Sequence, residues 1–178
     1  MMAMSTTQTI LKAAGFAAHK HRDQRRKDAA ASPYINHPIA LANILANEGR
    51  ILDAVVIAAA LLHDTLEDTE TTPEELQELF GADVASVVVE VSDDKSLPKA
   101  KRKQLQIEHA AHISGRAKLV KLADKIANIR DVADAPPAGW SLPRRREYFD
   151  WAKQVVDGLG DISPALRSAF DAAYASRP

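Results

Sequence analysis

The sequence predicts an all-α fold, and three observations carry that prediction. Apolar residues recur at helical spacing through almost every segment. Helix start and stop signals, among them Pro38, Gly49, Thr72-Pro73 and Gly81, fall where that spacing begins and ends. The chain also lacks a glycine-rich phosphate loop, an internal repeat and a low-complexity tract. At 178 residues it is long enough to bury one sizeable core, so a single domain over residues 1–178 is expected.

Taken in order, ILKAAGFAAHKH, around residues 8–22, is an alanine-rich helix. RRKDAAASPYINHP (25–38) is a connector with two prolines and room for a short extended piece or β-hairpin. Pro38 suits a first helical position, opening PIALANILANEG, with Gly49 as its stop. LDAVVIAAALLHDTLED (52–68) reads as one buried helix, apolar on nearly all sides until His63. Thr72-Pro73-Glu74-Glu75 is a capping signal for a helix that ends at Gly81. ADVASVVVEVSDD is valine-rich, yet its place among helices argues for helix. PKAKRKQLQIEHAAHI, GRAKLVKLADKIANIRDV and RRREYFDWAKQVVDGL follow, and a last amphipathic segment starts near Ser163.

Composition narrows the chemistry. Hydrophobic residues make up 46% and charged residues 26%, with a formal net charge of −1. A near-neutral chain has no global attraction to nucleic acid or anionic lipid, so neither is expected as a partner. No cysteine is present, which excludes disulfides and thiolate metal sites and suits a reducing cytosol. The N-terminal segment lacks the order of a signal peptide, and no apolar run is long enough to span a bilayer. The expected location is cytoplasmic.

Where chemistry could reside is marked by LLHDTLEDTE (61–70). His63 and Asp64 are adjacent, so on a helix they point about 100° apart and can share an ion only in the notch between them. Imidazole and carboxylate without thiolate suit Mn²⁺, Fe²⁺ or Zn²⁺. By itself a His-Asp pair is common and reads more readily as a polar helix end than as a metal site. Two other residues add weight. His37 lies in YINHP, where its side chain can project from a turn. Asp124 lies among Leu119, Leu122, Ala123, Ile126 and Ile129, a setting costly for a carboxylate unless it binds metal or pairs with Lys121 or Lys125. Asn128 shares the Asp124 face. Glu67 and Asp68 follow His63 and Asp64 by four residues each, where they could hold or deprotonate a water. Acids at a helix C-terminal end oppose its dipole, which favours a cation there.

Three basic segments complement the acids: Arg22, Arg25, Arg26 and Lys27; Lys99, Lys101, Arg102 and Lys103; and Arg144, Arg145 and Arg146 with Tyr148. Together with the acidic cluster they suggest an anionic substrate such as a phosphate ester. Trp140 and Tyr148 could stack on a base or simply pack the last helices. His19, His21, His109 and His112 show no comparable setting, and the last two read as surface.

The ordered blocks RRKDAAASPYINHP, AALLHDTLEDTETTPEEL, SDDKSLPKAKRK, KLVKLADKIANIRD and GWSLPRRREYFDWA resemble the HD-type hydrolases of the RelA/SpoT alarmone group. Within that group they are similar to the small stand-alone hydrolases, the metazoan SpoT homologues, over about residues 10–158. The resemblance implies an HD/PDEase-like helical bundle that hydrolyses (p)ppGpp at its 3′-diphosphate, with one Mn²⁺ as the usual metal and Zn²⁺ or Fe²⁺ as options. It implies His37, His63, Asp64 and Asp124 as ligands and Glu67 and Asp68 as the water-activating pair. Arg26 and Lys27 would lie by the guanine and the 3′ side, Asn128 by ribose or phosphate, and Lys99, Arg144 and Tyr148 by phosphates. At this length neither a synthetase nor a regulatory domain is expected. NADPH, as a second ribose-phosphate nucleotide, and a catalytically silent alarmone-binding module are the competing expectations.

Overall fold

A computed structural model describes residues 4–178; the first three residues of the segment read above for a leader lie outside them. The first helix, α1 (Thr6–Lys20), starts in a capping box: Ser5 Oγ accepts the Gln8 amide, and the Gln8 side chain accepts the Ser5 amide. The connector that follows makes no hairpin. Its extended piece is a single antiparallel bridge between Arg25 and Pro33, because prolines and the Asp28–Ser32 turn leave no room for a ladder.

Helix α2 (Asn36–Asn43) begins two residues before Pro38 and runs into a π-helical turn, Ile44–Glu48. His37 is therefore held in the first helical turn and buried, not projected from a loop ahead of it. Next comes α3 (Ala54–Leu62), capped by Asp53, whose carboxylate accepts the Val55 amide. It lies at the centre of the molecule, packed against α1, α2 and two later helices, α6 (Ala82–Val91) and α8 (Gly115–Asp134), and residues 56–62 are all buried.

The long helix expected through residue 68 is broken. Helix α3 ends at Leu62, and a new single turn, α4 (Thr65–Asp68), starts after Asp64. Buried Thr65 supports the break by donating its hydroxyl to Leu62 O at 2.7 Å. Glu67 and Asp68 thus occupy the first turn of a short helix. The dipole argument for a cation, which assumed a helix C-terminal end, does not apply to them.

Helix α5 (Pro73–Phe80) is capped by Thr72 as expected, and α6 (Ala82–Val91) is a helix despite its valines. Val84, Val87, Val88 and Val91 fall on its buried face at helical spacing, so packing outweighs strand propensity. Helix α7 (Lys99–His109) is basic and packs on α9 (Leu142–Leu159). Between them in sequence, α8 (Gly115–Asp134) crosses the core against α2, α3, α6 and α9. Ser163 caps α10 (Pro164–Tyr174), which covers the far end of α8 with Phe170 and Leu166 fully buried. No helix among the described residues is long and apolar enough to cross a membrane.

Candidate metal centre and active site

Three helices converge on one point. α2 contributes His37, the break after α3 contributes His63 and Asp64, and the middle of α8 contributes Asp124. His37, His63 and Asp124 can each offer a ligand atom within 4.8 Å of the others. His37 Nε2 lies 3.1 Å from Asp124 Oδ1; His63 Nε2 lies 2.9 Å from Asp64 Oδ2 and 3.8 Å from Asp124 Oδ1.

The His63 ring identifies what this point is built to receive. Its Nδ1 lies 2.7 Å from Ala60 O; a carbonyl only accepts, so Nδ1 carries the proton. Nε2 is buried, makes no hydrogen bond and faces two carboxylates. Burial disfavours a charged imidazole here, but Asp64 and then Asp124 lift the His63 pKa to about 9. Burial likewise opposes ionisation of Asp64 and Asp124. It is outweighed at Asp64 by His63, and at Asp124 by Lys125 with help from His37, so both stay below the usual carboxylate range. The spot therefore calls for positive charge, either a proton on Nε2 or a metal ion. An all-N/O donor set with a lone pair aimed inward fits a divalent metal.

Around this centre is a polar chamber of about 210 Å³ that also includes Glu67. Burial raises the Glu67 pKa to about 7 even though its Oε1 accepts the Asp93 amide at 2.6 Å. A carboxylate poised near neutrality suits proton transfer from water. Asp68 points elsewhere. It lines a larger cavity of about 720 Å³, and its Oδ1 accepts Lys95 Nζ at 2.7 Å.

Arg26, Asn128 and Tyr148 line both spaces, and Lys27 lines the larger one. Arg26 pairs with Asp131 at 2.7 Å and lies over the Tyr34 ring; Asn128 Nδ2 donates to Asp124 Oδ1 at 2.7 Å. Burial pushes the Tyr148 phenol up, so it keeps its proton and can donate. Lys99 and Arg144 line neither cavity. Burial, then Arg144 and Lys27 nearby, depress the Lys99 pKa. The Arg144 guanidinium stacks 4.4 Å from Trp140, which does line the larger cavity.

Sequence reasoning missed several residues. Tyr34 contacts Asp64, Lys95 pairs with Asp68, Asp93 holds Glu67, and Trp151 packs under Lys125. Lys121 and Lys125 were weighed only as partners of Asp124, yet both are largely buried and line the chamber. The burial argument applied to Asp124 holds equally for a lysine one turn away on the same helix. His21, without a setting in the sequence, is buried and stacks on Tyr34, whereas His109 and His112 are exposed as expected.

A helical core with a His-Asp break and a third-helix aspartate is the arrangement of an HD domain, and the chain belongs to the HD-domain family: its family model matches residues 13–148. Membership implies a divalent metal. Among individual proteins, the chain is 54% identical to guanosine-3′,5′-bis(diphosphate) 3′-pyrophosphohydrolase MESH1 of Danio rerio, covering 99% of this chain and 98% of that one. The Homo sapiens protein of the same name is 54% identical, with 97% of each chain covered. A solved structure described as "A metazoan ortholog of SpoT hydrolyzes ppGpp and plays a role in starvation responses" superposes with a TM-score of 0.93 at 47% identity, covering 99% of this chain and 98% of that one.

Proposed function

We propose that this protein is a divalent-metal-dependent hydrolase that removes the 3′-diphosphate of guanosine 3′,5′-bis(diphosphate), releasing GDP and pyrophosphate. The observation that carries the reading is the bare Nε2 of His63, aimed at Asp64 and Asp124 in the chamber that holds Glu67. The names of relatives that match almost end to end support the substrate.

Release of intact pyrophosphate defines the bond that breaks. Water attacks the phosphorus next to the ribose, its oxygen stays with the pyrophosphate, and the ribose 3′-oxygen departs and takes up a proton. His37, His63, Asp64 and Asp124 would hold the ion; the N/O set without thiolate supports Mn²⁺, with Zn²⁺ or Fe²⁺ compatible. When bound, the ion supplies polarisation of the scissile phosphate and a more acidic water. Glu67 accepts the water proton, and the Asp93 amide keeps its carboxylate turned into the chamber. Asp68 and Lys95 border the nucleoside side. Tyr148 and Asn128 donate to phosphate or ribose oxygens, and Arg26 and Lys27 flank the base and the 3′ substituent. Lys99 and Arg144 act at the rim, where Trp140 holds the Arg144 guanidinium flat. The absence of cysteine supports a cytosolic location.

Purified protein incubated with ppGpp, pppGpp or NADPH, each with Mn²⁺ and with chelator, tests the reading by chromatography of the products. Metal-dependent conversion of ppGpp to GDP and pyrophosphate is expected. Turnover of NADPH alone would move the assignment to a phosphatase of another ribose-phosphate nucleotide. Binding of ppGpp without turnover would make the protein an alarmone-binding module.

A further inference from the structure

Lys121 is a buried cation with almost no internal partner. It sits on α8, its side chain is 12% exposed, and its nearest carboxylate oxygen is Asp93 Oδ1 at 4.0 Å. The other Asp93 oxygen is already taken by Gln106 Nε2 at 2.7 Å. Its neighbour Lys125 is different: the ammonium lies 2.9 Å from Asp124 Oδ2 and 4.4 Å from the Trp151 ring centre. An ammonium removed from water without a close counter-charge is costly, and burial, with Lys125 adding to it, depresses the Lys121 pKa. A group kept in that state is served by an anion that arrives from outside.

Position tells which anion. The chamber has two ends. At one, Arg26, Tyr34, His37, Asn128 and Tyr148 are shared with the 720 Å³ cavity that can take a nucleoside. At the other, Asp93, Gln106 and Lys121 form the wall shared with a third cavity of about 190 Å³ between α6, α7, α8 and α9. The metal-type cluster lies in the chamber with both ends. A phosphorus seated at the cluster and joined to a nucleoside on one side thus directs its remaining substituent towards Lys121. Charge agrees: three cationic side chains face four carboxylates in the chamber, and a divalent ion turns the balance positive.

We propose that Lys121 binds the distal phosphate of the 3′-diphosphate and so selects a diphosphate over a monophosphate at that position. This rests on the hydrolase reading above and adds the determinant of how many phosphates the attacked 3′ substituent carries.

The test compares Lys121→Met and Lys121→Arg with the parent protein, using guanosine 3′,5′-bis(diphosphate) and guanosine 5′-diphosphate 3′-monophosphate as substrates. In parallel, pyrophosphate and orthophosphate are titrated calorimetrically into metal-loaded protein at fixed free metal. Loss of one charge-assisted contact is expected to weaken pyrophosphate about 10–100-fold in Lys121→Met while orthophosphate changes less than about twofold. The kcat/KM ratio of diphosphate to monophosphate substrate should fall by a similar factor, and Lys121→Arg should restore most of both. Metal content and melting temperature report whether Lys121→Met keeps its fold. If it does not, Lys121→Gln, which removes the charge but keeps a polar side chain, is titrated in its place with the same two anions and the same expected inequality. Equal weakening of both anions, or of neither, overturns the proposal. A parent protein inert towards ppGpp would reject the hydrolase reading, and the two titrations would still decide Lys121.

Discussion

The Tyr34 hydroxyl donates to Asp64 Oδ2 at 2.5 Å and also lies 3.4 Å from Asp68 Oδ2. One phenol thus links the carboxylate in the metal-type cluster to the carboxylate that lines the larger cavity. Burial, reinforced by Asp64, pushes the Tyr34 pKa far up, so the phenol remains a donor. Its bond falls on the same Asp64 oxygen that lies 2.9 Å from His63 Nε2, and so holds that carboxylate against the cluster. Tyr34→Phe is expected to weaken metal binding by about 10–100-fold, as loss of a hydrogen bond to a ligand does elsewhere. Titration against a competing chelator measures it; unchanged affinity would remove Tyr34 from the centre.

Asp64 and Glu67 should separate cleanly. Asp64→Ala is expected to lose metal and activity together. Glu67→Gln should keep metal, measured by elemental analysis, while kcat drops about 10²–10⁴-fold, the usual worth of a general base. An undiminished rate in Glu67→Gln would refute its role with the water.

The Glu67 pKa, raised from 4.5 to about 7 by burial, makes two predictions with opposite slopes. A base must be ionised, so activity should rise with pH as Glu67 ionises, below the metal-free value of about 7 because a cation in the chamber favours the carboxylate. Stability should do the reverse in chelated protein. The folded state holds the Glu67 proton more tightly than the unfolded chain does. Its contribution is complete below pH 4.5 and is lost as pH climbs through 7. The difference between parent and Glu67→Gln melting curves isolates it from His63, and should change by about 3 kcal/mol at most across that window. A flat difference would contradict the burial of Glu67.

Two glycines give a paired test of packing. A Cβ at Gly49 would lie 2.9 Å from both the Leu166 side chain and Leu45 O, so Gly49→Ala should cost about 1–3 kcal/mol. At Gly15, mid-helix and exposed, a Cβ meets nothing, and Gly15→Ala should gain about 0.5–1 kcal/mol. Thermal melts of the two variants should move in opposite directions.

How much of this was legible in the sequence differs by element. Helices announced by local chemistry, such as Thr72-Pro73 or Ser163-Pro164, start where the caps indicate, because a cap is satisfied within its own turn. The break at His63–Asp64 was not legible: Leu62 and Leu66 continue the apolar pattern across it, and it depends on a buried threonine hydroxyl. His37, His63, Asp64 and Asp124 could be marked as candidates, because acids and imidazoles among apolar residues are conspicuous. Their convergence could not be read, since it depends on how α2, α3 and α8 cross. Tyr34 sat in a segment read as a connector, where pattern says nothing about which way a side chain turns, and Asp93 sat at the tail of a segment read as helix, whereas the helix stops at Val91.

The alanines of α3 have a consequence beyond filling the core. Ala58, Ala59 and Ala60 are fully buried on the helix that packs against both α2 and α8, the carriers of His37 and Asp124. Their methyl side chains let α3 lie close against both carriers, and each added methyl would have to be taken up by a shift of one of them. Selection for a catalytic distance thus reaches residues with no reactive atoms. A conservative Ala60→Val change would alter the spacing of the site before it altered any group that takes part in the chemistry.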